Sequence, residues 1–152
     1  MKTSTIAKMM KIAETIAETL SKDPNRKVGA LIVGTDGSPL SWGYNGLARG
    51  ITDDGRLLDA ATKLKIVVHA EQNAILAAAR KGISLNGGIM LATLYPCVSC
   101  SNAIIQAGIS TVICPEYMEE ASKWWEQRYD SSRLLSEAGV KVMLLDDKYN
   151  LL

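Results

Sequence analysis

Apolar residues return at helical spacing from the start of the chain: Ile6, Met9, Ala13, Ile16, Ala17 and Leu20, with Lys, Glu and Thr between them. A stripe recurring every three to four residues predicts an amphipathic helix. Asp23-Pro24 stops it, because proline cannot continue a helix and biases its predecessor towards extended backbone. Two short runs follow, Val28 to Val33 and Leu40 to Tyr44, separated by the turn formers Gly34-Thr35-Asp36-Gly37-Ser38-Pro39; the pair predicts a β-hairpin. From Gly50 to Lys65 the periodicity fades into polar residues around Thr52-Asp53-Asp54-Gly55. This stretch reads as a surface loop with room for one helical turn, of a length that often lines a site.

Beyond it, helices and strands alternate. The pattern predicts a helix from about His69 to Arg80, a strand from Gly88 to Leu94, a helix from Cys97 to Ala107 ended by Gly108, and a strand from Thr111 to Cys114. Two helical patches, Glu119 to Trp125 and Ser131 to Ala138, the second closed by Gly139, lead to a last strand, Val140 to Leu145. This is the βαβ rhythm of a layered α/β domain. No repeat, linker or low-complexity segment divides the chain, so residues 1–152 are expected to form a single domain.

Composition narrows the class. An apolar share of 47% with 22% charged residues is ordinary for a soluble globular protein, and no apolar run approaches the roughly 20 residues of a membrane span. Met1 to Lys11 holds neither an uninterrupted apolar stretch nor a small-residue cleavage site, so the expectation is a cytoplasmic protein with no membrane partner. A net charge of +1 and a pI near 7.7 leave no basic footprint for a long nucleic acid. Three cysteines are an odd number without an export signal, which favours metal or redox use over a disulfide framework.

The cysteines direct attention to one constellation. Cys97 and Cys100 form a C-x-x-C just after Pro96, at a predicted helix start, where the helix dipole and free backbone N–H groups favour thiolates. His69, the single histidine, stands at another predicted helix start. Zinc in a catalytic site takes three nitrogen or sulfur ligands and keeps a fourth position for water, whose pKa falls from about 15.7 to about 7. His69, Cys97 and Cys100 are therefore the expected ligands. Glu71, two positions after the histidine, can reach the open face without being a ligand and is the expected proton carrier. Two thiolates already cancel the ion's charge, so the proton taken from water is expected to reside largely on Glu71, ready for a pyrimidine ring nitrogen and then for a departing amine.

Each half of this pattern has a bland alternative. H-x-E alone is common by chance, a lone C-x-x-C suits a dithiol redox pair, and a structural zinc would need a fourth ligand. Cys114 is the remaining strong ligand type, but Thr111-Val112-Ile113-Cys114 reads as a core strand. Together, His69-Ala70-Glu71 and Pro96-Cys97-Val98-Ser99-Cys100 give the signature of zinc deaminases. Trp42, Trp124, Trp125 and the tyrosines read as core or interface, except Tyr117, which lies beyond a predicted strand end and is a candidate to stack on a base. The cations between Lys22 and Lys27, Lys22 and Arg26 among them, are candidates for a phosphate.

Further segments extend the likeness. Ser21-Lys22-Asp23-Pro24-Asn25, Val28-Gly29-Ala30, Gly43-Tyr44-Asn45-Gly46, His69-Ala70-Glu71 with Asn73-Ala74-Ile75, Pro96-Cys97, Cys100, and Ile104-Ile105-Gln106-Ala107-Gly108-Ile109 occur in this order. The chain thereby resembles the deoxycytidylate (dCMP) deaminase family, within the cytidine deaminase-like fold. The resemblance implies a three-layer α/β/α domain with a mixed sheet of about five strands, and hydrolysis of dCMP to dUMP and ammonia by a zinc-bound hydroxide. It also implies Asn45 and Asn25 near the sugar and phosphate, and the Ala70 backbone N–H facing the pyrimidine. Family members often form hexamers activated by dCTP and inhibited by dTTP, which implies a homo-oligomer here, with Gly43, Tyr44, Asn45 and Gly46 linking substrate and regulatory sites. Some relatives bind a second, structural zinc through extra Cys and His residues; this chain has none to spare, so one ion per subunit is expected. A deaminase of a free cytosine base or nucleoside is the runner-up, and a tRNA-editing enzyme is disfavoured by the neutral charge.

Overall fold

The computed structural model describes residues 1–116 and 125–152. The chain runs α1 (Thr3–Leu20), β1 (Gly29–Val33), β2 (Pro39–Tyr44), a 3₁₀ turn (Arg56–Leu58), α2 (Ala60–Ile66), α3 (Ala70–Arg80), β3 (Ile89–Ala92), α4 (Val98–Gln106), β4 (Thr111–Pro115), α5 (Trp125–Glu137) and β5 (Lys141–Leu145). The five strands form one mixed sheet in the order β2-β1-β3-β4-β5. β1 pairs antiparallel with both β2 and β3, while β3, β4 and β5 are parallel, as strands joined by crossover helices must be.

Alternation along the central strands makes two cores. Leu31, Val33, Leu91 and Ile113 pack with Ile6, Met10 and Ala13 of α1 on one face. Ala30, Ile32, Met90, Val112 and Cys114 face the other way, among Ala70, Ala74 and Ala78 of α3, Ile104 of α4 and Leu135 of α5. The result is the expected three layers, one helix against three. α1 turns Ile6, Met10, Ala13 and Ala17 fully inward, whereas Leu20 is exposed because the stripe has rotated out by the last turn.

The stretch from Gly50 to Lys65 differs from expectation. It holds the 3₁₀ turn and the seven-residue α2, started by Asp59, whose carboxylate caps the Thr62 N–H at 2.7 Å. None of the α2 residues is fully buried, which is why no apolar period marks it. α5 is one continuous helix from Trp125 rather than a patch beginning at Ser131. The expected patch at 119–125 falls, apart from Trp125, outside the described residues. No helix among the described residues is long and apolar enough to cross a membrane.

Candidate active site

Two helix starts meet at one end of the sheet. His69 is the N-cap residue of α3 and Cys97 that of α4; both have extended backbone and neither side chain caps its own helix, so imidazole and thiol are free to turn towards each other. The position of His69 is set from β2. Gly46 and Val68 exchange backbone hydrogen bonds of 3.1 and 2.8 Å, the Asn73 amide donates to the Tyr44 carbonyl at 2.7 Å, and Ser41 donates to the Ala74 carbonyl at 2.7 Å. Gly43 lets the strand approach the helix backbone directly: a Cβ there would lie 2.4 Å from both the Ala70 oxygen and the Ala74 nitrogen.

His69 Nδ1 lies 3.4 Å from each of the Cys97 and Cys100 sulfurs, and the three donor atoms are within 4.8 Å of one another. Among the described residues this is the one cluster of His, Cys, Asp or Glu suited to a metal. Zinc bonds of about 2.3 Å to sulfur and about 2.05 Å to nitrogen at a tetrahedral angle separate the ligands by about 3.5 Å, so the donor set and its spacing fit zinc. A hydrogen bond from Cys100 brings the Cys97 thiol down to about 4, and that same bond, with burial, pushes Cys100 up. The hydrogen bond with Cys97 raises His69. Glu71, only 4% exposed and in the first turn of α3, shares a hydrogen bond with Cys100; burial raises its carboxyl, which favours the protonated form.

All of these groups but Cys100 line one cavity of about 640 Å³. Of the candidates named from sequence, Asn25, Arg26, Asn45 and Ala70 line it together with His69, Glu71 and Cys97; Cys100, fully buried beneath, does not. Lys22 is not in its wall: the side chain points outward, 73% exposed, and pairs with Asp53 at 3.4 Å. Gly43, Tyr44 and Gly46 also stand outside the wall, as the seat of α3. Tyr117 lies outside the described residues.

Asn45 acts here as a clamp. Its Oδ1 accepts from the Ser21 hydroxyl (2.7 Å) and the Val28 N–H (2.8 Å), and its Nδ2 donates to Asp23 (3.1 Å) and the Arg26 carbonyl (2.9 Å). The amide's hydrogen-bonding positions are thus taken by the loop that carries Asn25 and Arg26 to the cavity. Two wall residues were not legible beforehand. Asp23, read from sequence only as a helix stop, is 2% exposed and accepts from the backbone N–H of Asn25 and Arg26 and from Lys63. Lys63 reaches it from α2 with 2.8 Å to Oδ2 and 2.9 Å to Oδ1. A lysine in a stretch without periodicity gives no sign of a partner forty residues away. Tyr95 and Arg128 also line the cavity, with the Arg128 guanidinium 4.8 Å from the centre of the Tyr95 ring and donating to the Glu116 carbonyl.

Comparison with known proteins agrees with this geometry. The family described as the cytidine and deoxycytidylate deaminase zinc-binding region matches residues 3–116. An uncharacterised deaminase encoded in the luxG 3′ region of Aliivibrio fischeri is 40% identical over 82% of this chain and 83% of its own length. Mouse deoxycytidylate deaminase is 36% identical over 86% of this chain and 74% of its own. Among solved structures, the dCMP deaminase of cyanophage S-TIM5 in complex with dCMP and dUMP superposes with a TM-score of 0.79, at 33% identity over 93% of this chain and 97% of that one. With the match running from α1 through both cysteines to the end of β4, this chain belongs to the cytidine and deoxycytidylate deaminases, a family of zinc-dependent hydrolases.

Proposed function

We propose that this protein hydrolyses dCMP to dUMP and ammonia, with zinc held by His69, Cys97 and Cys100 and protons carried by Glu71. The observation that carries the reading is the meeting of one imidazole, two thiols and one buried carboxyl at a single cavity, with His69, Cys97 and Glu71 in its wall and Cys100 just beneath. Zinc, when bound, supplies an electrophile that brings a water's pKa into the neutral range. Glu71 takes one proton from the attacking water and gives it to the pyrimidine N3 as oxygen bonds to C4. It then moves the second proton from that oxygen to the exocyclic nitrogen, the C4–N bond breaks and ammonia leaves. Burial suits Glu71 to this task, because a raised carboxyl holds its proton until the ring needs it.

The phosphate is assigned to the loop between α1 and β1. Arg26 is exposed beside the cavity and its side chain makes no ion pair among the described residues, while Asn25 stands next to it. The likeness to enzymes named deoxycytidylate deaminases, one of them solved with dCMP and dUMP, favours the nucleotide over a nucleoside or base. The same reading takes residues 1–152 as one domain with one ion per subunit, since Cys114 is fully buried in the β4 core. It further takes the enzyme as a homo-oligomer responsive to dCTP and dTTP, with Gly43 to Gly46 passing the signal because that segment seats α3.

Rates on dCMP, deoxycytidine, cytidine and an RNA hairpin test the substrate: dCMP is expected to be turned over fastest, and equal rates on cytidine would overturn the choice. Glu71→Gln is expected to abolish turnover with zinc retained. Turnover of dCMP at an undiminished rate by that variant would remove Glu71 from its role. Rate curves against dCMP with and without dCTP and dTTP test regulation, and hyperbolic curves indifferent to both would refute it.

A further inference from the structure

Behind the cysteine pair lie two hydroxyls that the chemistry above does not use. Ser101 follows Cys100 on α4, Ser131 sits on α5, and both are fully buried. Their oxygens are 2.6 Å apart, and the Ser131 oxygen is also 2.8 Å from the carbonyl oxygen of Pro96. A carbonyl only accepts, so the single Ser131 proton goes to Pro96. Ser131 is then the acceptor towards Ser101, and both bonds acquire a direction: Ser101 donates to Ser131, and Ser131 donates to Pro96.

The place this relay grips is a stretch of backbone that few other hydrogen bonds hold. β3 ends at Ala92, and Thr93 is still tied to Gly29, its N–H to the Gly29 carbonyl at 3.0 Å and its hydroxyl to the Gly29 N–H at 3.0 Å. From Leu94 to Pro96, the bond from Ser131 is the one hydrogen bond to the backbone among the described residues. Pro96 leads directly into Cys97, whose side chain makes no cap bond to hold it. A serine at a fully buried helix position, one turn before the core residue Leu135, also needs a reason. Alanine would fit the space with better helix propensity and no hydroxyl to desolvate.

We infer that Ser131 is a positioning residue for the metal centre, holding the Pro96 carbonyl through a relay backed by Ser101 so that the Cys97 sulfur stays where it can share an ion with Cys100 and His69. The inference rests on the proposed zinc reading and concerns the shell behind the ligands, where loss of a partner weakens metal binding about 10- to 100-fold.

The experiment is zinc affinity by competition with a chromophoric chelator, together with the visible spectrum of the cobalt(II)-substituted protein. Ser131→Ala is expected to bind zinc about 10- to 100-fold more weakly and to shift the cobalt bands. Leu135→Ala removes core from the same helix without touching Pro96 and is expected to keep both zinc affinity and spectrum. Ser131→Thr and Ser131→Val have nearly the same shape and differ chiefly by the hydroxyl, so the threonine variant should bind about tenfold more tightly than the valine one even if the alanine variant folds poorly. Wild-type affinity in Ser131→Ala, equal affinities in the threonine and valine variants, or an equal loss in Leu135→Ala would each overturn the assignment while leaving the zinc reading intact. A wild-type protein that binds no zinc would overturn both.

Discussion

Replacing Asp23 by Asn tests whether one buried ion pair organises the loop proposed to hold the substrate phosphate. The Asp23 carboxylate receives four donors: the N–H groups of Asn25 and Arg26, the Asn45 amide and the Lys63 ammonium. An asparagine oxygen can keep the two backbone donors, but its NH₂ then faces the Asn45 NH₂ and the Lys63 ammonium, both donors themselves. Removing one partner of a buried pair costs about 3–5 kcal/mol. The Lys63 side chain keeps 16% exposure and a flexible stem beside the cavity, so part of its charge regains water and the expected loss is about 3 kcal/mol. Lys63→Met alone leaves the carboxylate with three donors and should cost about 2 kcal/mol, while the double variant should lose about 3, a coupling of about 2. Urea unfolding followed by circular dichroism, at unchanged slope, measures all three. Additivity within about 0.5 kcal/mol would refute the claim that the pair acts as a unit. The pH dependence has a defined sign. Burial pushes the Asp23 carboxyl up, but its bonds to Lys63, Asn25 and Arg26 more than offset this, and it ends below the ordinary 3.8. Its contribution is therefore present above pH 3.8 and lost as pH falls through the lower folded value, so Asp23→Asn should flatten the acid limb of the stability curve. The freed loop carries Asn25 and Arg26, and the variant should raise KM for dCMP more than it lowers kcat.

Two other substitutions probe the seat and the floor of the cavity. Gly43→Ala puts a Cβ 2.4 Å from α3 backbone and must move that helix off β2 by about 1 Å, costing about 1–3 kcal/mol and, because Glu71 rides on the displaced turn, about 100-fold in kcat; a wild-type rate in a correctly folded variant would break the link between β2 and the floor. Glu71→Gln should stabilise the zinc-free protein at pH 8. The folded carboxyl titrates above its ordinary 4.5, so wild-type stability falls as pH rises from 4.5 through the folded value and the difference vanishes below pH 4.5; melts with chelator that coincide at all pH values would contradict the burial argument.

Some of the chemistry was readable because it is local. His69 and Glu71 are two apart and Cys97 and Cys100 three apart, so their relation depends on the first turn of one helix each, and helix starts announce themselves in composition. The strands were readable for a similar reason, since period-two burial against two helical layers selects β-branched and aliphatic residues in Val28 to Val33 and Thr111 to Cys114. α2 left no such trace, because a helix with no fully buried residue has no apolar period to betray it.

What the amino-acid order determined by itself was thus the identity of the reactive groups and the alternation of elements around them, both properties of neighbours along the chain. Tertiary structure alone decided that Lys22 points to Asp53 and water while Lys63, from a stretch read as loop, closes on Asp23. It decided equally that Asn45 is consumed in clamping a loop, and that a serine on α5 stands behind Pro96. The physical reason is common to all four. A polar side chain takes whichever partner burial leaves within about 3 Å, and that partner is chosen by how sheet and helices pack across tens of residues, a distance over which composition and period carry no information.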